Sequence, residues 1–163
     1  MNEIVNVGKV VGLEGFCNSG KSNTLKGLCK LMLSHKSCQV VKIFQPNGNE
    51  DSGSSSVDFG KDICVLLDYC GKTVLIVSGG DYTQLASIVL DIIVKISVRI
   101  DVVFAAMRFM YPSVGDEYRK VFGEQGIQVK SIFKPGCKRV HEFPEGALDW
   151  VDSLWAKQLI AEL

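Results

Sequence analysis

At 163 residues the chain fits one domain built around one sizeable core. Hydrophobic residues make up 47% of it and charged residues 22%, a balance that excludes intrinsic disorder. Lys plus Arg and Asp plus Glu each number 18, so the formal net charge is zero and no charge excess is expected to hold the chain on nucleic acid or an anionic membrane.

In chain order, Lys9–Glu14 is a short β-rich run that ends at Gly15 and predicts a first strand. Lys21–Leu33 places Leu25, Leu28 and Met32, with Cys29 beside them, at helical spacing. Gln39–Phe44 predicts the next strand. It runs into the polar, Gly/Ser-rich stretch Pro46–Ser56, whose composition suits a mobile loop. From Lys61 to Gly79, two short β-rich runs flank Cys70-Gly71-Lys72: Ile63, Val65, Leu67 and Tyr69 alternate in the first, and Thr73–Val77 is the second. That pattern predicts a β-hairpin. A helix over Val57–Tyr69 competes with it, and the alternation around a Gly turn is the stronger local signal.

Asp81 can cap a helix carrying Leu85, Ile88, Val89, Ile92, Ile93 and Ile96 on one stripe. Asp101–Met107 predicts a strand, Pro112–Phe122 a short helix or irregular segment, and Ile127–Phe133 a further strand. Pro144–Leu163 predicts a C-terminal helix with Leu148, Val151, Trp155 and Leu159 on one face. Strands alternating with helices predict a mainly parallel sheet covered on both faces, with one antiparallel hairpin strand at 61–69. The apolar stretch Leu85–Met107 is interrupted by Asp91, Lys95, Arg99 and Asp101, which favours a buried helix and strand over a membrane span. The first residues carry no basic and apolar leader pattern, and the six cysteines form no CxxC pair. A cytoplasmic protein with free thiols is the expectation.

The chemistry concentrates at Gly15–Ser22, Gly-Phe-Cys-Asn-Ser-Gly-Lys-Ser, which has the spacing GxxxxGK[ST]. Glycines let the backbone turn tightly, so that successive N–H groups point at phosphate oxygens. Lys21 would reach the β- and γ-phosphates, Ser22 would offer a hydroxyl to Mg²⁺, and the following helix adds its positive end. Phe16, Cys17, Asn18, Ser19 and Gly20 complete the loop, and Asn23 follows it.

On these residues Lys9–Leu33 resembles the first strand, phosphate loop and first helix of the P-loop NTPase superfamily. The resemblance implies a three-layer α/β/α fold that binds phosphates at the carboxyl ends of parallel strands. Asp62–Arg108 is also similar in outline to small single-domain ATP-binding proteins, with a hairpin strand, Ser-Gly-Gly-Asp, a helix and a strand ending in Arg. No reaction attaches to that outline.

Such a site needs an acidic residue near Mg²⁺. Asp81 or Ser78, beyond Thr73–Val77, is expected at the phosphate edge as the partner of a Mg²⁺-bound water, and Asp81 serves equally well as a helix cap. Asp68 begins a GTPase-like Asp-Tyr-Cys-Gly. In a hairpin, however, it falls at the far edge, roughly 15–20 Å away, and reads as a turn residue. Arg108 ends its strand on the phosphate edge and could neutralise a transferring phosphoryl group, or form a surface ion pair. Arg119 and Lys120 are too few for a basic lid, and Lys134 is placed to approach a base or ribose. Cys17 reads as a loop filler more readily than as a reactive thiol. No guanine-type NKxD motif is present, so ATP is the better guess than GTP.

Three functions fit: an ATPase or small switch, a phosphotransferase acting on a small molecule or nucleotide with its acceptor near Asn47–Ser56 and Arg108, and a regulatory module that binds without turnover. Lys21→Ala is expected to abolish most triphosphate affinity and leave the fold intact, and Ser22→Ala to blunt the Mg²⁺ dependence. Calorimetry that finds unchanged affinity in Lys21→Ala would contradict the phosphate-loop assignment.

Overall fold

The computed structural model describes residues 5–16, 20–53, 56–81, 83–109, 113–134 and 147–163, with side chains from 154 onward in the last stretch. The expected helix starts Pro112 and Pro144 lie outside the described residues, as do Cys17 and Cys137, and so do the side chains of Leu148 and Val151. The elements are β1 (Val7–Gly15), α1 (Lys21–Leu33), β2 (Cys38–Ile43), β3 (Cys64–Tyr69), β4 (Lys72–Val77), α2 (Leu85–Ile96), β5 (Ile100–Arg108), α3 (Val114–Gly123), β6 (Val129–Phe133) and α4 (Ala147–Ile160).

The strands form one six-stranded sheet in the order β2-β3-β4-β5-β1-β6. β1 pairs parallel with β5 and β6, and β4 pairs parallel with β5. β3 pairs antiparallel with both β2 and β4, so it is the one strand of the sheet that runs against the rest. The hairpin reading of Lys61–Gly79 therefore holds, and the competing helix does not. The β3–β4 turn at Cys70-Gly71 has φ of 52° and 83°, the positive values that a two-residue hairpin turn of matching twist requires.

Alternation along the strands sorts the core into two layers. Val11, Leu13, Val65, Ile76, Phe104 and Ala106 pack with Leu25, Leu28 and Met32 of α1 and with Leu159 of α4. Val10, Leu75, Val77, Val103 and Met107 pack on the opposite face with Val89 and Ile93 of α2 and with Tyr118 and Phe122 of α3. Helices thus cover both faces of a mixed, mostly parallel sheet, and strands buried on both faces read as continuous apolar runs. Buried Cys29 and Cys64 are core residues, and burial pushes both thiols up to about 12. Among the described residues no helix is long and apolar enough to cross a membrane.

Two expectations require correction. Asp81 does not cap α2, because the N-cap position belongs to Gln84 and no side chain bonds the first turn. The stretch after β2 is tightly organised over residues 44–51. Gln45 N–H donates to Asn49 O at 2.8 Å, Asn49 N–H to Asn47 Oδ1 at 3.0 Å, and Asp51 N–H to Ile43 O at 2.7 Å. Gly48 there lies against Ile88 of α2. Polar composition reports a loop, whereas an Asx-type turn and tertiary contact decide its order.

The carboxyl ends of the parallel strands are level. Gly15 pairs with Arg108 and Glu14 with Phe133, and the ladders extend through Phe109 N–H to Gly15 O at 3.0 Å and Lys134 N–H to Glu14 O at 2.7 Å. Gly80 closes this edge, its carbonyl oxygen accepting from Arg108 N–H at 3.0 Å. A Cβ at Gly80 would stand 2.7 Å from the Ala106 carbonyl oxygen, a backbone atom that cannot swing aside. Gly80→Ala is therefore expected to destabilise the fold by about 1–3 kcal/mol. A lowered urea midpoint checks this, and an unchanged midpoint would contradict the close approach.

Candidate functional site

The site begins where β1 ends. Gly15 is buried at the last position of the strand and Phe16 emerges exposed. Cys17, Asn18 and Ser19 lie outside the described residues. The chain is described again at Gly20, which holds φ 83° and ψ 17° at the N-cap of α1. That left-handed conformation is one a glycine takes without penalty, and it turns the chain directly into the helix. Thr24 N–H then bonds Gly20 O at 2.8 Å. The first turn of α1 contains no acidic residue and no side chain caps it. Its leading N–H groups and its positive end therefore face the loop.

Lys21 is only 6% exposed, and its ammonium donates to Phe16 O at 2.6 Å. The bond ties the start of the helix to the residue that follows β1. Asn23, next in the helix after Ser22, is exposed. The Ser22 hydroxyl donates to Asp62 Oδ1 at 2.7 Å. Ser78 Oγ donates to the same Asp62 oxygen at 3.0 Å, and itself accepts from Ile63 N–H at 2.8 Å. Ser78 N–H also bonds Ile63 O at 2.9 Å. Ser78, 1% exposed, thus pins the start of β3 to the end of β4 and holds Asp62 toward α1.

Asp62 is the residue that sequence reasoning missed. Asp81 and Asp68 are the acids that follow or end strand-like runs in the sequence, whereas Asp62 precedes one. Because β3 runs antiparallel, the residues before its start reach the same edge as the ends of its neighbours. Asp81 is exposed just beyond β4, and the carboxylate bonded to Ser22 is that of Asp62. Asp68 lies at the opposite edge, where it accepts from Gly71 N–H at 3.1 Å in the hairpin turn. It is a turn residue, as the hairpin implied.

Arg108 is half-buried at the end of β5 and shares parity with Phe104 and Ala106, which places it on the α1 face of the sheet. Lys134 is 1% exposed, two residues beyond Ile132, which packs on that same face. Arg119 is committed elsewhere. It pairs with the buried carboxylate of Glu14 on the opposite face and bonds Asp116 at 2.7 Å and Ser131 Oγ at 2.9 Å. That network ties α3 to β1 and β6 and gives Arg119 a structural role in place of a lid.

As donors, Ser22 Oγ and Asp62 Oδ1 are two hard oxygens on adjoining elements, the kind Mg²⁺ takes when phosphates and water complete its octahedron. Among the described residues no group of three or more His, Cys, Asp or Glu is arranged to hold a metal ion unaided. Comparison with family models, curated proteins and solved structures finds no match to the chain.

Asp62→Asn is expected to weaken Mg²⁺-dependent triphosphate binding by about 10- to 100-fold, the usual effect of losing a group that orders a metal's surroundings. Asp81→Asn and Asp68→Asn are expected to leave it unchanged. Titrations with and without Mg²⁺ decide the matter, and a loss confined to Asp81→Asn would return the acidic role to that residue.

Proposed function

We propose that the chain binds a nucleoside triphosphate, ATP by preference, together with Mg²⁺, and hydrolyses it as a small ATPase or switch of the P-loop NTPase type. The observation that carries the reading is the 2.7 Å bond between Ser22 Oγ and Asp62, formed at the first turn of the helix that follows GxxxxGK[ST]. Elements distant in sequence converge there on one pair of oxygens suited to a hard cation.

In this reading the N–H groups of Gly20, Lys21 and Ser22 face the phosphate oxygens. The Lys21 ammonium exchanges the Phe16 carbonyl for the β- and γ-phosphates. Ser22 Oγ and the Asp62 carboxylate are the residues that would hold the metal, Ser22 as a ligand and Asp62 through hydrogen bonding. When bound, Mg²⁺ would supply positive charge to offset that of the phosphates. Arg108 stands on the α1 face at the same edge, where a guanidinium stabilises charge on the phosphoryl group in transfer. The preference for ATP rests on the absence of an NKxD motif.

A specific feature supports phosphotransfer as the second reading. A shallow, solvent-open hollow lies between α2 and the start of β3, lined by Phe44, Pro46, Leu85 and Ile88, with Asp62 the charged residue among the described lining. An acceptor there would rest on an open apolar surface beside Asp62 and would not be enclosed by it. ADP release followed with and without candidate hydroxyl-bearing acceptors separates the readings. The expected result is Mg²⁺-dependent release that needs no acceptor. Release that requires an acceptor would assign a kinase, and tight binding without release would assign a regulatory module.

A further inference from the structure

We infer that Phe16, Phe109 and Phe133 form a stacking platform for the base of the nucleotide whose phosphates occupy the Gly15–Ser22 loop. The inference rests on the phosphate-loop reading and extends it to the other end of the ligand.

The three rings come from three neighbouring strand ends. Phe16 follows β1, Phe109 follows β5 and Phe133 closes β6. Level registers bring them together: Gly15 pairs with Arg108, Glu14 pairs with Phe133, and Phe109 N–H bonds Gly15 O. Ring centroids lie 5.4, 5.5 and 5.9 Å apart, with interplanar angles of 77°, 80° and 89°. Each pair is edge to face, the arrangement that the aromatic quadrupole favours. The cluster is thus internally organised, yet its members remain 43%, 48% and 46% exposed. Among the described residues the other large exposed hydrophobics are Val41 in β2, Val98 after α2 and Leu154 in α4. Isolated exposed apolar residues are ordinary, whereas a contiguous aromatic patch marks a binding surface.

Position and chemistry select the occupant. Phe16 belongs to the loop itself, and its carbonyl oxygen holds the Lys21 ammonium at 2.6 Å. The rings extend the face of the sheet opposite α1, so a ligand anchored by phosphates at Lys21 would cross the level carboxyl edge beside Gly15 to lay its remaining part on them. Phenylalanine has no polar tip, so the platform offers faces and edges for stacking and no hydrogen-bond code. That suits the flat face of a heterocyclic base and reads little of its identity, as in aromatic platforms that accept every base. The platform thus sets affinity for nucleosides over bare phosphate, and any choice between adenine and guanine comes from other groups.

The test uses the full-length chain and calorimetry with ATP, GTP and inorganic triphosphate, each with Mg²⁺. The exposed positions make Phe109→Ala and Phe133→Ala suitable, and Phe133→Trp restores an aromatic face. Each alanine variant is expected to weaken ATP and GTP by about 5- to 150-fold while inorganic triphosphate binds as before. Phe133→Trp is expected to keep nucleotide affinity. If triphosphate binds and the alanine variants hold ATP as tightly as the parent, the platform is wrong and the phosphate loop stands. Equal losses for ATP and triphosphate would make the rings mere supports of the loop. Unchanged ATP affinity with a shift in sedimentation would reassign the patch to contact between copies of the chain. If the parent binds neither triphosphate nor nucleotide, the phosphate-loop reading itself fails and the platform goes with it.

Discussion

The Asp62 carboxylate accepts from Ser22 Oγ and from Ser78 Oγ, and this shared acceptor joins three pieces of chain that lie far apart in sequence. Ser22 opens α1, Ser78 follows β4, and Asp62 precedes β3. The carboxylate faces the positive end of a helix whose first turn has no acid of its own. The rest of the candidate site is referred to that junction. It places an acidic oxygen on the helix start, keeps the β3–β4 pair closed through Ile63 and Ser78, and sets one border of the hollow beside α2.

That junction depends on one reversal of chain direction. In an all-parallel sheet every approach to a strand lies at the amino edge, remote from the loop after β1. The Cys70-Gly71 turn reverses β3 against β4, which carries the approach to β3 to the carboxyl edge. Two faces of the same edge then hold different chemistry. Lys21, Arg108 and Lys134 gather on or toward the α1 face, while Glu14, Arg119 and the phenylalanine cluster extend the opposite one. The buried Glu14 carboxylate is matched by Arg119, because an ionised group so far from solvent is sustained by a paired charge.

Much of this was legible before any coordinates. The α1 helix was bounded correctly at Lys21–Leu33 because Gly20 and the apolar spacing mark its start and face. The hairpin was legible from alternation on either side of a Gly turn, and it already implied that Asp68 lay at the wrong edge. The same hairpin implied that residues before β3 lay at the right one. Asp62 was nevertheless missed because no local pattern distinguishes it from any acid in a loop, and only pairing with Ser22 reveals it. The order of residues 44–51 was also illegible, since Asn and Gly chemistry looks alike in loose and tight turns until Gly48 meets Ile88. The aromatic cluster was invisible for a related reason. Phe16, Phe109 and Phe133 are dispersed along the sequence, and strand order together with register makes them neighbours.

We propose that Ser22 holds a cation beside Gly15–Ser22 and that Asp62 accepts from a water on it. A crystal structure of the full chain with Mg²⁺ and a non-hydrolysable ATP analogue tests it most directly. The expected result is a metal bonded to Ser22 Oγ and to β- and γ-phosphate oxygens, with the Asp62 carboxylate accepting from a metal-bound water. A triphosphate bound away from Gly15–Ser22, or a metal served by Asp81 while Asp62 keeps its bond to Ser22, would contradict it.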